Sequence, residues 1–314
     1  MLVLKKSWIM SVFLIVPLVA FFGFWDWNYN DQALLPVLGI DTLYLPLYLL
    51  IFGLPHILAS LFSFFDKEYF SHYKKHLIII FPILFLLLQF IISFNYNLAV
   101  SLFLIATVYH VIRQQTGISL MYGVPKNNWF IWWNWSLIIA VSIMYLTTVQ
   151  VGALDSVIKS AQYLFNVTFA LAGLVSYLLI QKTKELQGKI FVFLTYLMVV
   201  TSFTLTNFGY VFLAILVIRF LHDVPAFMFY ISHEVNRNKF KINNLIYKAV
   251  PLVPMSLIIF VPAFAVFMGV FFRETVTDPK IYFSILATVS VFHYYIESII
   301  WKRNSLHRKY VSVK

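Results

Sequence analysis

A succession of apolar runs, each about as long as a bilayer is thick, limits how this chain can fold. A helix rises 1.5 Å per residue, so about 20 mostly apolar residues cross a hydrocarbon core of about 30 Å. Ten segments meet that requirement: residues 8–25, 41–65, 77–93, 98–122, 129–149, 161–181, 190–206, 209–232, 250–271 and 281–300. Backbone polar groups in lipid must satisfy one another, and a helix does so within one segment. The expected fold is therefore an all-α, polytopic membrane helix bundle of about ten transmembrane helices, one integral domain over residues 1–314. Composition leaves little alternative. The chain is 61% hydrophobic and 11% charged, whereas soluble domains carry about 45–50% apolar and about 25% charged residues.

Lys5 and Lys6 before the first run resemble the start of a signal peptide. The stretch from Trp8 to Trp25 is long for a signal core and no small-residue cleavage site follows, so it reads as a true span.

Charge sets the expected orientation. With the N-terminus in the cytoplasm, 18 of the 23 Lys and Arg residues fall on the cytoplasmic side, from Lys5–Lys6 to the tail beyond Lys302. Only Lys159, Arg273 and Lys280 fall outside, and Arg113 and Arg219 lie within spans. That asymmetry is the positive-inside pattern, and it places both termini in the cytoplasm. The net charge of +11 is thus a topology signal and calls for no nucleic-acid partner. Trp25, Trp27, Trp129, Trp132, Trp133 and Trp301 stand near span ends, as an aromatic belt requires.

The absence of cysteine excludes disulfides, iron–sulfur clusters, thiolate metal sites and a cysteine nucleophile. No phosphate-binding glycine loop, nucleotide fingerprint or Gly-x-Ser-x-Gly elbow occurs. The histidine boxes of membrane di-iron desaturases are missing too.

Polar residues inside spans are costly and mark function by default. His56, His110, His222 and His293 occupy the second, fourth, eighth and tenth spans, all running from outside to inside. Each lies 12–15 residues from its estimated outer end, roughly 18–22 Å deep. A lone buried histidine is more commonly a hydrogen-bonded packing residue, but packing gives four of them no reason to share a level. Four converging imidazoles suit a transition metal such as iron, zinc or copper. Arg113 and Gln114 follow His110 by three and four residues and so share its helix face. Arg219 precedes His222 by a turn, Asp223 follows it directly, and Glu297 lies one turn after His293. Asp223 and Glu297 read either as metal ligands or as acceptors for a ligand's spare N–H. Arg113, Asp223 and Glu297 are the candidate catalytic side chains; ion pairing of Arg113 with Glu297 and of Arg219 with Asp223 is the structural alternative. Pro55 and Pro225 are expected to kink their helices. Tyr109, Tyr294 and Tyr295 stand beside the histidines as substrate-positioning candidates. His72, His76 and His307 are expected to be solvated, and His233 interfacial.

Gly53-Leu54-Pro55-His56 is similar to the early motif of the Brp/Blh family, bacterial membrane enzymes that cleave β-carotene to retinal with a histidine-bound non-haem iron. Carried over, the resemblance implies that His56, His110 and His222 are iron ligands. It also implies Fe(II), O2, a carotenoid or other isoprenoid drawn from the bilayer, and residence in a bacterial cytoplasmic membrane. Ile57-Leu58-Ala59-Ser60 replaces the family's small residue and aspartate, and Ala226 stands where the family has the second histidine of a His-x-x-x-His pair. We assign His293 to that vacant role. The expected activity is oxidative cleavage by a non-haem iron dioxygenase; the competing expectation is a proton-coupled transporter using the same His, Arg, Asp and Glu residues.

Overall fold

The computed structural model describes residues 1–39, 53–149, 155–248, 256–302 and 304–314. The chain is helical almost throughout. Among the described residues, nine helices are long and apolar enough to cross a membrane, which makes this an integral membrane protein by length and composition. The first half of the second expected span falls outside the described residues; its described half is a shorter apolar helix, Leu54–Phe65.

Helix boundaries follow local chemistry. A two-residue strand β1 (Val3–Leu4) precedes α1 (Lys6–Phe13) and α2 (Ile15–Tyr29). Pro17 has no N–H for the Phe13 carbonyl, and the first span breaks at Leu14. A short α3 (Leu35–Leu38) follows, and α4 (Leu54–Phe62) starts with proline in its first turn. Pro55 stands in the first turn of α4, directly after the π-helical Gly53; the residues before Gly53 lie outside the described residues.

The third span differs most from the expectation. Asp66 caps α5 (Lys67–Lys75), accepting from the Glu68 N–H at 2.9 Å. A π-helical turn, His76–Ile80, joins it to α6 (Phe81–Phe94), whose first turn holds Pro82. The widened turn absorbs the missing proline donor, so one continuous helix runs ten residues further back than apolarity alone indicates.

Then come α7 (Tyr96–Ser119), α8 (Asn128–Val149), α9 (Asp155–Lys182), α10 (Leu186–Asn207) and α11 (Val211–Arg237). Gly123, with φ of 80°, ends the short turn after α7, where a Cβ would meet Glu185. Beyond α12 (Leu245–Lys248), α13 (Leu257–Thr275) and α14 (Pro279–Ile300) complete the helices, and β2 (Ser312–Val313) ends the chain. Asp278 caps α14 through the N–H groups of Lys280 and Ile281.

The chain divides into two compact units. The first takes Met1–Lys5, the described part of 46–99 and Asp223–Lys314; the second takes the described part of 6–45 and Val100–His222. In the first unit, α13 and α14 pack on α4, and α14 packs on α6. Its core gathers Phe62, Tyr69, Tyr73, Tyr230, Tyr247, Ile296 and Ile300. Strands β1 and β2 pair in parallel, Val3 with Ser312 and Leu4 with Val313. The Asn236 amide binds them to α11, donating to the Leu2 carbonyl at 2.9 Å and the Tyr310 carbonyl at 2.8 Å.

The second unit packs α8 against α9, α9 against α10 and α2 against α10. Asp26, wholly buried, accepts from Tyr210 Oη at 2.6 Å, Asn30 Nδ2 at 2.7 Å and the Leu34 N–H at 3.1 Å. Three donors make this charged group tolerable in an apolar setting.

Candidate metal centre

In the first unit, α4 carries His56 and Ser60 one turn apart, α14 carries His293 and Glu297 one turn apart, and the start of this unit's share of α11 carries Asp223. All five are buried. The imidazoles of His56 and His293 cross at 80° with centroids 5.1 Å apart, and a ring nitrogen of one lies within 4.8 Å of a ring nitrogen of the other.

The oxygens beside this pair bear on which nitrogen carries the proton. Asp223 Oδ1 lies 3.3 Å from His56 Nδ1, a close carboxylate contact that favours the tautomer with hydrogen on Nδ1. Ser60 Oγ lies 2.8 Å from His293 Nδ1 and 2.6 Å from the Ile57 carbonyl. A hydroxyl has one proton, and the carbonyl can only accept it. The Ser60 oxygen therefore accepts from His293 Nδ1–H. In these tautomers both neutral rings place the basic lone pair on Nε2. Donation of the second ring N–H to a carboxylate or other fixed oxygen is how metal-binding histidines are oriented.

Glu297 sits one turn along. Its Oε1 accepts from Tyr230 Oη and, at 3.2 Å, from Trp301 Nε1. A Glu297 oxygen and a His293 nitrogen lie within 4.8 Å of one another. Two histidines with a carboxylate close by form a donor set that fits a divalent transition metal, ferrous iron included.

In the second unit, His110 of α7 and His222 of α11 cross at 79° with centroids 4.8 Å apart. Gln115 Nε2 donates to the Ile218 carbonyl at 3.2 Å, tying the two helices one turn before His222. Arg219 is buried, whereas Arg113 is exposed and Gln114 half-buried; the inward-facing residue of that turn is Gln115. The sequence reading put Arg113 on the face of His110. A helix advances 100° per residue, so a position three residues on is 60° off, enough for its side chain to turn outward. Tyr109 is exposed and Tyr294 half-buried, while Tyr295 Oη lies 2.7 Å from His76 Nδ1.

Two histidines expected near water are buried instead. His307 is 1% exposed and stacks on both Tyr69, at 4.4 Å and 20°, and His233, at 4.6 Å and 18°. Tyr69 Oη lies 3.0 Å from His233 Nε2, Glu234 Oε1 lies 2.9 Å from His233 Nδ1, and His307 Nε2 lies 2.9 Å from Ser63 Oγ. The tail after α14 folds back onto the ends of α5 and α11, which is what buries these rings. Burial, followed by the charges of His233, Arg237 and His72, holds the His307 pKa well below the usual histidine value. His72 remains exposed, as expected.

Ser60 is the site residue the sequence reading passed over. Its position four after His56 was the available signal, since i and i+4 share a helix face. No family model matches this chain, and no curated protein or solved structure is significantly similar to it.

Proposed function

We propose that this protein is a membrane-embedded non-haem iron oxygenase that oxidatively cleaves an apolar isoprenoid, such as a carotenoid, taken from the bilayer. The observation carrying the proposal is the buried pair His56 and His293, crossed with centroids 5.1 Å apart, each with Nδ1 beside a buried oxygen, Asp223 Oδ1 at 3.3 Å and Ser60 Oγ at 2.8 Å. Glu297 is the neighbouring carboxylate. His110 and His222 enter the ligand set from the sequence, by their shared depth, together with the resemblance of Gly53-Leu54-Pro55-His56 to the Brp/Blh motif.

Bound ferrous iron would supply the centre at which O2 is activated against a carbon–carbon double bond. The chain's own residues bind, orient and keep out water. Asp223 fixes the plane of His56, and Ser60 fixes that of His293. Tyr230 and Trp301 hold one Glu297 oxygen, restricting how that carboxylate turns. Burial of all these groups keeps water from competing for the same bonds.

The proposed topology has ten crossings with both termini cytoplasmic, in a bacterial inner membrane. Pairing of β1 with β2 supports an even count, because hydrogen-bonded strands lie on one side of a membrane.

Metal analysis of the purified protein is the decisive test. The expected result is one iron per chain, lost in His56→Ala and in His293→Ala, with His110→Ala and His222→Ala testing the ligands assigned from sequence. Extracts of carotenoid-producing cells should then contain aldehyde cleavage products that depend on the same residues. Metal-free protein that drives proton-coupled uptake into liposomes, dependent on Glu297, would favour the transporter.

A further inference from the structure

A cavity of about 530 Å3 opens in the first unit, lined by Leu61, Phe64, Phe70, Leu77, Phe81 and Phe292 among others, with Asp66 and Lys67 its only polar lining residues. Ligand pockets typically enclose about 300–1,000 Å3, so the size is that of a binding site. Taking a methylene as about the ~30 Å3 of one liquid water, the space holds on the order of 18 carbons. That is room for one long hydrocarbon chain.

The lining is apolar but for two residues. Asp66 is occupied: it caps α5, and its Oδ2 accepts from Arg237 Nε at 3.0 Å. Lys67, exposed at the first residue of α5, is the cation beside the apolar space. Leu61, which follows Ser60, and Phe292, which precedes His293, also line it. Phe292 meets Phe81 edge to face, with centroids 5.1 Å apart at 86°.

We infer that this cavity binds a single long-chain carboxylic acid, fatty or isoprenoid, with its carboxylate at Lys67 and its hydrocarbon chain among Leu61, Phe81 and Phe292. As a substrate position this rests on the oxygenase reading, and it narrows the substrate class from pure hydrocarbons to chains bearing one anionic end.

The test uses the full chain in zwitterionic nanodiscs with a diazirine-bearing palmitic acid, adducts being mapped by mass spectrometry. A diazirine phosphatidylcholine serves as the annular-lipid control. Adducts are expected on Phe70, Leu77, Phe81 or Phe292, competed by unlabelled palmitate and by a C20 isoprenoid acid. Leu61→Trp and Phe81→Trp, which fill the space, should each lower them at least tenfold. Lys67→Gln should lower labelling by the acid about three- to tenfold and leave labelling by the matching alcohol unchanged. Adducts spread evenly over lipid-facing helices, equal labelling by the phospholipid, or insensitivity to both tryptophan variants would each overturn the site. Labelling repeated in His56→Ala separates the two readings. Cavity adducts in a protein that never binds metal sink the oxygenase and leave the site, whereas bound iron without cavity adducts does the reverse.

Discussion

Two buried histidine pairs in the first unit have the same composition and different bonding. His56 and His293 cross nearly at right angles, and the two known anchors, Asp223 and Ser60, both take Nδ1. His233 and His307 lie nearly parallel, and His233 has both nitrogens engaged, by Tyr69 and by Glu234. A ring whose two nitrogens already hold protein partners has no lone pair for a metal. His233 is therefore held by protein partners on both sides, and its stack with His307 joins the helix ends to the C-terminal tail. Burial alone does not distinguish the two pairs; ring geometry does, crossed in one and stacked in the other.

The sharpest way to break this comparison is to delete one ring from each pair. His56→Ala or His293→Ala should reduce bound iron at least tenfold by elemental analysis, while His233→Ala should retain it. Equal loss from both pairs would show that metal content follows folding and not ligation. A smaller effect is expected from the anchors. Asp223→Asn and Ser60→Ala should weaken the metal by about 10–100-fold, as loss of an orienting partner does, measured by competition with a chelator.

The stacked pair should respond in stability. His307→Ala removes a ring stacked on two neighbouring rings and leaves Ser63 without that partner, costing about 2–4 kcal/mol by the scale of buried large-to-small changes, read as a lower Tm in detergent. Its titration gives the smallest and most specific effect. His307 has a folded pKa below its unfolded value, so folding favours the neutral ring. Its stabilising contribution is complete above about pH 6.5 and is lost progressively as the pH falls below that value. The groups facing it are His233 and Arg237 of α11, Tyr69, His72 and Tyr73 of α5, and Trp301 after α14. His307→Phe should flatten the dependence of Tm on pH between 8 and 5.5; an unchanged slope would assign it to another group.

Much of the helical layout could be read from the chain because lipid imposes one simple rule on length and apolarity. Residues 129–149 and 281–300 were expected, and helices occupy Asn128–Val149 and Pro279–Ile300. The rule fails where a helix leaves the apolar zone. Lys67–Lys75 is helical because Asp66 caps it and its tyrosines pack inward, not because it is hydrophobic. Depth along the spans picked out His56 and His293, since helical rise converts position into level. It could not anticipate Ser60 as the partner of His293, which depends on how α4 and α14 face each other. Nor could it foresee the burial of His307, because a basic tail looks solvated until its return onto α5 and α11 is known.

The clamp on the chain ends has a consequence for assembly during synthesis. Leu2 bonds to Asn236, 234 positions away, and the Lys314 N–H donates to the Leu4 carbonyl at 2.9 Å. Leu2 and Leu4 therefore find these partners only after the helices between them have been made. Until then β1 is an unpaired edge and Asn236 an unsatisfied amide. A chain can carry all those intervening helices and still lack this closure, so pairing of the two segments is a late step of assembly.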